Sequence, residues 1–220
     1  MKSKKIWGIA LPLVVILLVV LGAVSLRHYQ RIKPIEYAQH LDEVLLTVDG
    51  QDITLAECAY YVASGELMVE EQALIYDYHN PQSYWNLHIN GEFVKVAAKQ
   101  SVLDKVVHDE IFYRQALAEG LTLTEEEQQT VRTRQEDFWM DLTEEQRSKL
   151  GVSREEMDVA IDKAALAEKY QNEIAAANNS DYEGYSVGAL PYETMLGEHT
   201  YEVDEAKWAK ISFGDIILTH

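Results

Sequence analysis

The chain has 220 residues, 47% of them apolar, and a formal net charge of −18. That is enough apolar material for one packed domain with an additional anchor or tail, and it argues against wholesale disorder. Six basic residues (Lys2, Lys4, Lys5, Arg27, Arg31 and Lys33) and no acid lie in the first 33 positions, so all 37 acidic residues fall on the remaining body. A surface that acidic repels phosphate backbones, which counts against nucleic acid as a partner.

Residues 1–5 read as a short stub. Ile6 to Leu26, "IWGIALPLVVILLVVLGAVSL", contains no charged residue. At about 1.5 Å per residue a helix of this length spans roughly 31 Å, the thickness of a hydrocarbon core. It is therefore read as a single-pass anchor through residues 6–26. A cleaved signal peptide, with "AVS" at 23–25 as its processing site, is the alternative. The basic residues that come first place the N-terminus in the cytoplasm and the acidic body outside it. Residues 27–41 follow as a juxtamembrane linker.

Val44–Val48, "VLLTV", is a β-like run, and Asp49-Gly50 is a two-residue hairpin signal leading to a return at 51–53. Thr54, followed by Glu57, forms a capping box that starts a helix over about 55–78. The same device recurs at Thr124/Glu127, Thr143/Gln146 and Ser153/Glu156. These starts predict helices over about 125–140, 144–150 and 154–177. Between them, "HNPQS" at 79–83 is a break, and a long helix over about 92–119 carries Leu103, Val107 and Ile111 on one face and stops at Gly120. Residues 178–220 are rich in Tyr and Gly, and "HTYEV" and "ISFGDIILTH" read as strands. The expected fold is mainly α, with a short N-terminal hairpin, a helical domain over 42–177 and a small β-like segment over 178–220.

Chemical motifs are sparse. The seven histidines show no H-x-x-x-H or H-E-x-x-H spacing, and no phosphate-binding glycine loop or nucleophile elbow is present. Cys58 is the one cysteine, so no internal disulfide forms, and its apolar helical neighbours suit a small core side chain. No metal or cofactor is expected. Aromatic and Met residues on the helices are the remaining candidates. Tyr60, Tyr61, Met68, Tyr84, Trp85, Phe138, Trp139 and Met140 are either core or part of an apolar cradle for extended peptide.

Three stretches, in order, resemble the SurA/PrsA/PpiD family of extracytoplasmic chaperones. They are "VLLTVDGQDITLAECAYYV" at 44–62, "VLDKVVHDEIFYRQALAEGLTLTEEE" at 102–127 and "GVSREEMDVAIDKAALAEKYQNEI" at 151–174. The resemblance implies a SurA N-terminal or trigger-factor-like helical domain that binds unfolded or newly translocated polypeptide outside the cytoplasm. Many members also carry a parvulin prolyl isomerase domain, whose opening strand has only "ISFGDIILTH" as a counterpart here, so no catalytic position carries over. A divergent prolyl isomerase, or an adaptor that docks one envelope partner, are the other readings.

Overall fold

The computed structural model describes residues 33–219. The anchor expected at 6–26 lies outside the described residues, and among the described ones no helix is long and apolar enough to cross a membrane.

The domain is mainly helical. Its chain order is a 3₁₀ turn Tyr37–Gln39, β1 (Val44–Val48), β2 (Gln51–Thr54), α1 (Leu55–Tyr76), α2 (Gln82–Trp85), β3 (His88–Ile89), β4 (Glu92–Phe93) and α3 (Val94–Ala118). Then come α4 (Glu125–Asp141), α5 (Glu144–Leu150), α6 (Arg154–Ala177), a 3₁₀ turn Tyr182–Tyr185, α7 (Leu190–Leu196), β5 (Tyr201–Val203) and α8 (Glu205–Trp208).

All four capping boxes form. In each, the N-cap hydroxyl accepts from the N3 backbone N–H, and the N3 side chain accepts from the N-cap N–H at 2.7–2.9 Å. Two of the orphan donors at each helix start are thereby satisfied locally, so the helix need not borrow partners from elsewhere. At the other end of α3, Gly120 takes φ +71° while Leu121 N–H reaches Ala116 O and Gly120 N–H reaches Leu117 O, a Schellman closure. Helix α1 stops two residues before its expected end. Asp77 Oδ1 accepts from the N–H groups of His79 and Asn80, a local turn that competes with the next helical bond.

Strand β1 is central, antiparallel to both β2 and β5. Asp49 and Gly50 both have positive φ, as a type I′ hairpin turn requires. Asp49 also reaches across the sheet. Its carboxylate accepts from Thr200 N–H at 2.9 Å and faces His199 Nδ1 at 2.7 Å, and these hydrogen bonds hold it below the usual carboxylate range. "HTYEV" thus supplies the strand that completes the β1 sheet.

The core runs from Leu45, Leu46 and Val48 of β1 through Leu55 and Val62 of α1, Ile111 and Phe112 of α3, and Met157 and Ile161 of α6, all nearly inaccessible. Each such side chain contributes roughly 1.5–3 kcal/mol of burial. Helix α1 approaches α3 closely at Gly65, where an added Cβ would stand 2.6 Å from Val102 Cγ2. Within the stretch assigned as linker, Tyr37 is buried and its hydroxyl donates to Leu55 O at 2.5 Å.

Residues 211–219 of "ISFGDIILTH" form no strand. Ile211, Phe213, Ile216, Ile217 and Leu218 are buried, but the backbone turns repeatedly and pairs with no sheet. A side chain takes the place of a neighbouring strand. The Glu66 carboxylate of α1, fully buried, accepts from the N–H groups of Gly214 (2.6 Å), Ile216 (3.1 Å) and Ile217 (2.9 Å). Burial raises the Glu66 carboxyl to about 7, against the opposing pull of these three donors. Lys99 of α3 holds the start of this segment through the carbonyls of Trp208 and Ile211, and its own burial lowers it to about 8.

Candidate functional site

Helices α3 and α6 make the most extensive contact in the domain. Beside this contact lies a groove. On α3 the residues facing it are Glu110, Tyr113, Arg114 and Leu117; on α6 they are Val159, Asp162, Lys163 and Leu166. Both sets follow the i, i+3, i+4, i+7 spacing that puts four side chains on one face of a helix. The loop residues Leu121 and Leu123 and the α4 residues Gln128 and Arg132 close one end, and the cavity holds about 920 Å³.

A second cavity of about 460 Å³ adjoins it and shares Glu57, Glu110, Val159 and Lys163. Its walls are Ile53 of β2, Ala56 and Tyr61 of α1, Val106 of α3 and Ala160 of α6, and Asp42, Glu155 and Glu156 form its rim. The larger cavity is thus mixed, with Leu117, Leu121, Leu123, Val159 and Leu166 set among charged and amide side chains, while the smaller one is mainly apolar with an acidic lip.

The floor is charged, with one carboxylate held between two cations. Glu110 is only 3% exposed. Its Oε1 accepts from Arg114 Nε at 2.5 Å, and its Oε2 pairs with Lys163 Nζ. Lys163 also stands 5.3 Å from the Tyr113 ring centroid. A buried carboxylate held by two cations avoids the large cost of an unpaired charge and keeps the two helices in register. Nearby, Gln135 of α4 donates to Asp162 Oδ1 at 3.0 Å and to Asp158 O at 2.9 Å, fastening α4 to α6. Burial, with Asp158 beside it, raises the Asp162 carboxyl.

Two walls of this groove expose large apolar side chains. Val159 is 66% exposed and Leu117 is 53% exposed. Such residues on otherwise well-packed helices leave apolar surface facing the solvent, where burial against a ligand is favourable.

The eight aromatic and Met candidates do not gather in one cradle. Tyr61 lines the second cavity. Tyr60 stacks edge-on against Tyr61 at 5.3 Å and against Phe138 at 5.1 Å, joining α1 to α4. Trp85 is buried, donates through Nε1 to Glu70 Oε2 at 2.9 Å and packs against Phe213. Tyr84 stacks on Tyr76, and Trp139 lies under the Arg147 guanidinium at 5.0 Å. Met68 and Met140 are exposed, on separate helices.

Of the remaining polar groups, His108 is buried on α3, with Nδ1 2.8 Å from Asp109 Oδ1 and Nε2 3.0 Å from Tyr185 O. It ties α3 to the segment after α6. Cys58 is buried, and burial pushes its thiol up. Among the described residues no group of three or more His, Cys, Asp or Glu is placed to hold a metal ion.

Comparison with protein-family models, with curated proteins and with solved structures finds no match to this chain.

Proposed function

We propose that this protein is a membrane-anchored, extracytoplasmic holding protein that binds unfolded or newly translocated polypeptide, with a helical domain of the SurA N-terminal or trigger-factor-like kind. One observation carries the reading. The paired stripes of α3 and α6 flank an open groove with exposed Leu117 and Val159 on its walls and an ion-paired Glu110–Lys163–Arg114 floor. Such a surface suits reversible burial of extended apolar segments, because the apolar walls reward burial while the floor's charges are already paired. The three ordered sequence stretches support the same reading. The acidic body limits self-association, and an anchor at 6–26 holds the groove close to where chains emerge, raising its effective concentration.

The test uses the full chain in detergent micelles or vesicles, with a chemically denatured client diluted into it. Suppression of light scattering at stoichiometric amounts is expected, and Val159→Asp with Leu117→Asp should abolish it. Equal scattering with and without the protein, together with no binding to a peptide array, rejects the reading.

A further inference from the structure

Between α1 and α3, residues 74–96 form a largely exposed finger. Its tip is the β3–β4 hairpin, turned at Asn90-Gly91 with both residues at positive φ, and both strands are exposed on both faces. An isolated two-stranded hairpin is marginal in water. This one is secured at its base by the Val94 N–H bond to Leu87 O and by buried Trp85.

The finger concentrates solvent-facing apolar side chains. Ile75 and Tyr78 are each 75% exposed, and Tyr76, Ile89, Phe93 and Val96 are 44–57% exposed. These are large apolar and aromatic residues, the types that settle at a membrane–water interface. Charge points the same way. Residues 74–96 carry only Asp77, Glu92 and Lys95, close to neutral within a chain of net charge −18.

The position of the finger fits a membrane as its occupant. Ile35 N–H donates to Lys210 O at 3.1 Å, and the next carbonyl, Ile211 O, accepts from Lys99 Nζ at 2.7 Å. The start of the domain therefore lies beside Lys99, one helical turn from Val96. Residues 27–34 span at most about 28 Å when extended. A bilayer crossed by residues 6–26 is then within reach of the finger.

We infer that the finger at 74–96 rests in the headgroup zone of the same bilayer that the anchor crosses, as a second contact that fixes how the groove faces the membrane. The inference builds on the anchored reading above. A second copy of the chain or a client segment are the competing occupants.

The experiment reconstitutes the full chain, with Cys58→Ala, in phosphatidylcholine vesicles. An environment-sensitive fluorophore is placed in turn at Tyr78→Cys, Ala118→Cys and Ile16→Cys. Ala118 lies at the far end of α3, about 33 Å along the helix from Val96. Quenchers are attached to the lipid, at the headgroup or deep in the acyl chain. At least threefold stronger headgroup quenching at 78 than at 118 is expected, with deep quenching at 16. Deep quenching at 16 with equal, weak quenching at 78 and 118 overturns the finger contact and leaves the anchor standing. No quenching at 16 removes the anchor reading and, with it, the inference of a second contact, whatever is seen at 78. Concentration-dependent self-quenching at 78 without lipid quenching assigns the finger to a second copy and also overturns the inference. Protection of 78 only when denatured client is added assigns it to clients, with the same result.

Discussion

The Gly214 N–H donates to Glu66 Oε1 at 2.6 Å across 148 positions of sequence. With the bonds from Ile216 and Ile217, it makes one carboxylate the seat for a turning, buried segment. Two opposing effects meet there. Desolvation disfavours the charge, the three N–H donors favour it, and desolvation is the larger.

A pH dependence follows. The carboxyl is raised to about 7 in the folded protein and returns to about 4.5 on unfolding. Its contribution to stability is fully present below about pH 4.5 and is lost as pH rises through 7, by at most about 3 kcal/mol. The carboxyls of Glu43, Asp49 and Glu127 are held low by their hydrogen-bond partners, so they act in a separate and more acidic window. Glu66→Gln should flatten the slope between pH 4.5 and 8 in urea unfolding while lowering stability throughout, because an amide NH₂ then faces backbone donors. Parallel slopes for the two proteins would falsify this account.

Two glycines at helix ends should respond differently to alanine. Gly120 has φ +71° with no atom near its missing Cβ, whereas Gly151 has φ +74° with Ala38 Cβ at 2.5 Å. Gly120→Ala meets only the backbone penalty, about 1–2 kcal/mol. Gly151→Ala adds an overpacking cost of about 1–3 kcal/mol against the 3₁₀ turn at 37–39. Urea midpoints decide it, and equal losses at the two sites contradict the packing argument.

The groove floor should couple energetically. Lys163→Met leaves Glu110 with Arg114 alone and should cost about 1–3 kcal/mol. A double-mutant cycle with Glu110→Gln should return an interaction energy above about 0.5 kcal/mol. The wall changes Val159→Asp and Leu117→Asp lie on exposed surface. They should leave stability within about 0.5 kcal/mol and weaken peptide binding about tenfold, read by fluorescence anisotropy.

Cys58 should be silent toward alkylating reagents in the folded protein. It is buried and its thiol is pushed up, so almost no thiolate meets solvent. Iodoacetamide labelling followed by mass measurement should show modification only after denaturation. Labelling in buffer at a rate near that of a free thiol would overturn the placement.

Helix starts were the most legible part of this sequence. A capping box is a local device, and four spaced pairs of residues announced α1, α4, α5 and α6 to the residue. The β3–β4 hairpin was missed although "NG" at 90–91 signals it, because strands of two residues leave no alternation to read. "ISFGDIILTH" misled for a different reason. Its apolar run reports burial, and burial alone does not say whether a strand or a distant carboxylate will satisfy the backbone. The groove was harder still. Its stripes on α3 and α6 are ordinary helical spacing, and only their packing side by side reveals that Leu117 and Val159 face open space.

Strand β1 needs neighbours from both ends of the domain. β2 follows within a few residues, but Asp49 waits for Thr200, 151 positions later. A ribosome adding about 5–20 residues per second takes on the order of ten seconds to supply them. Through that interval one edge of β1 is bare, a free template for any other extended chain. This protein would thus begin life in the state that it is proposed to relieve in others.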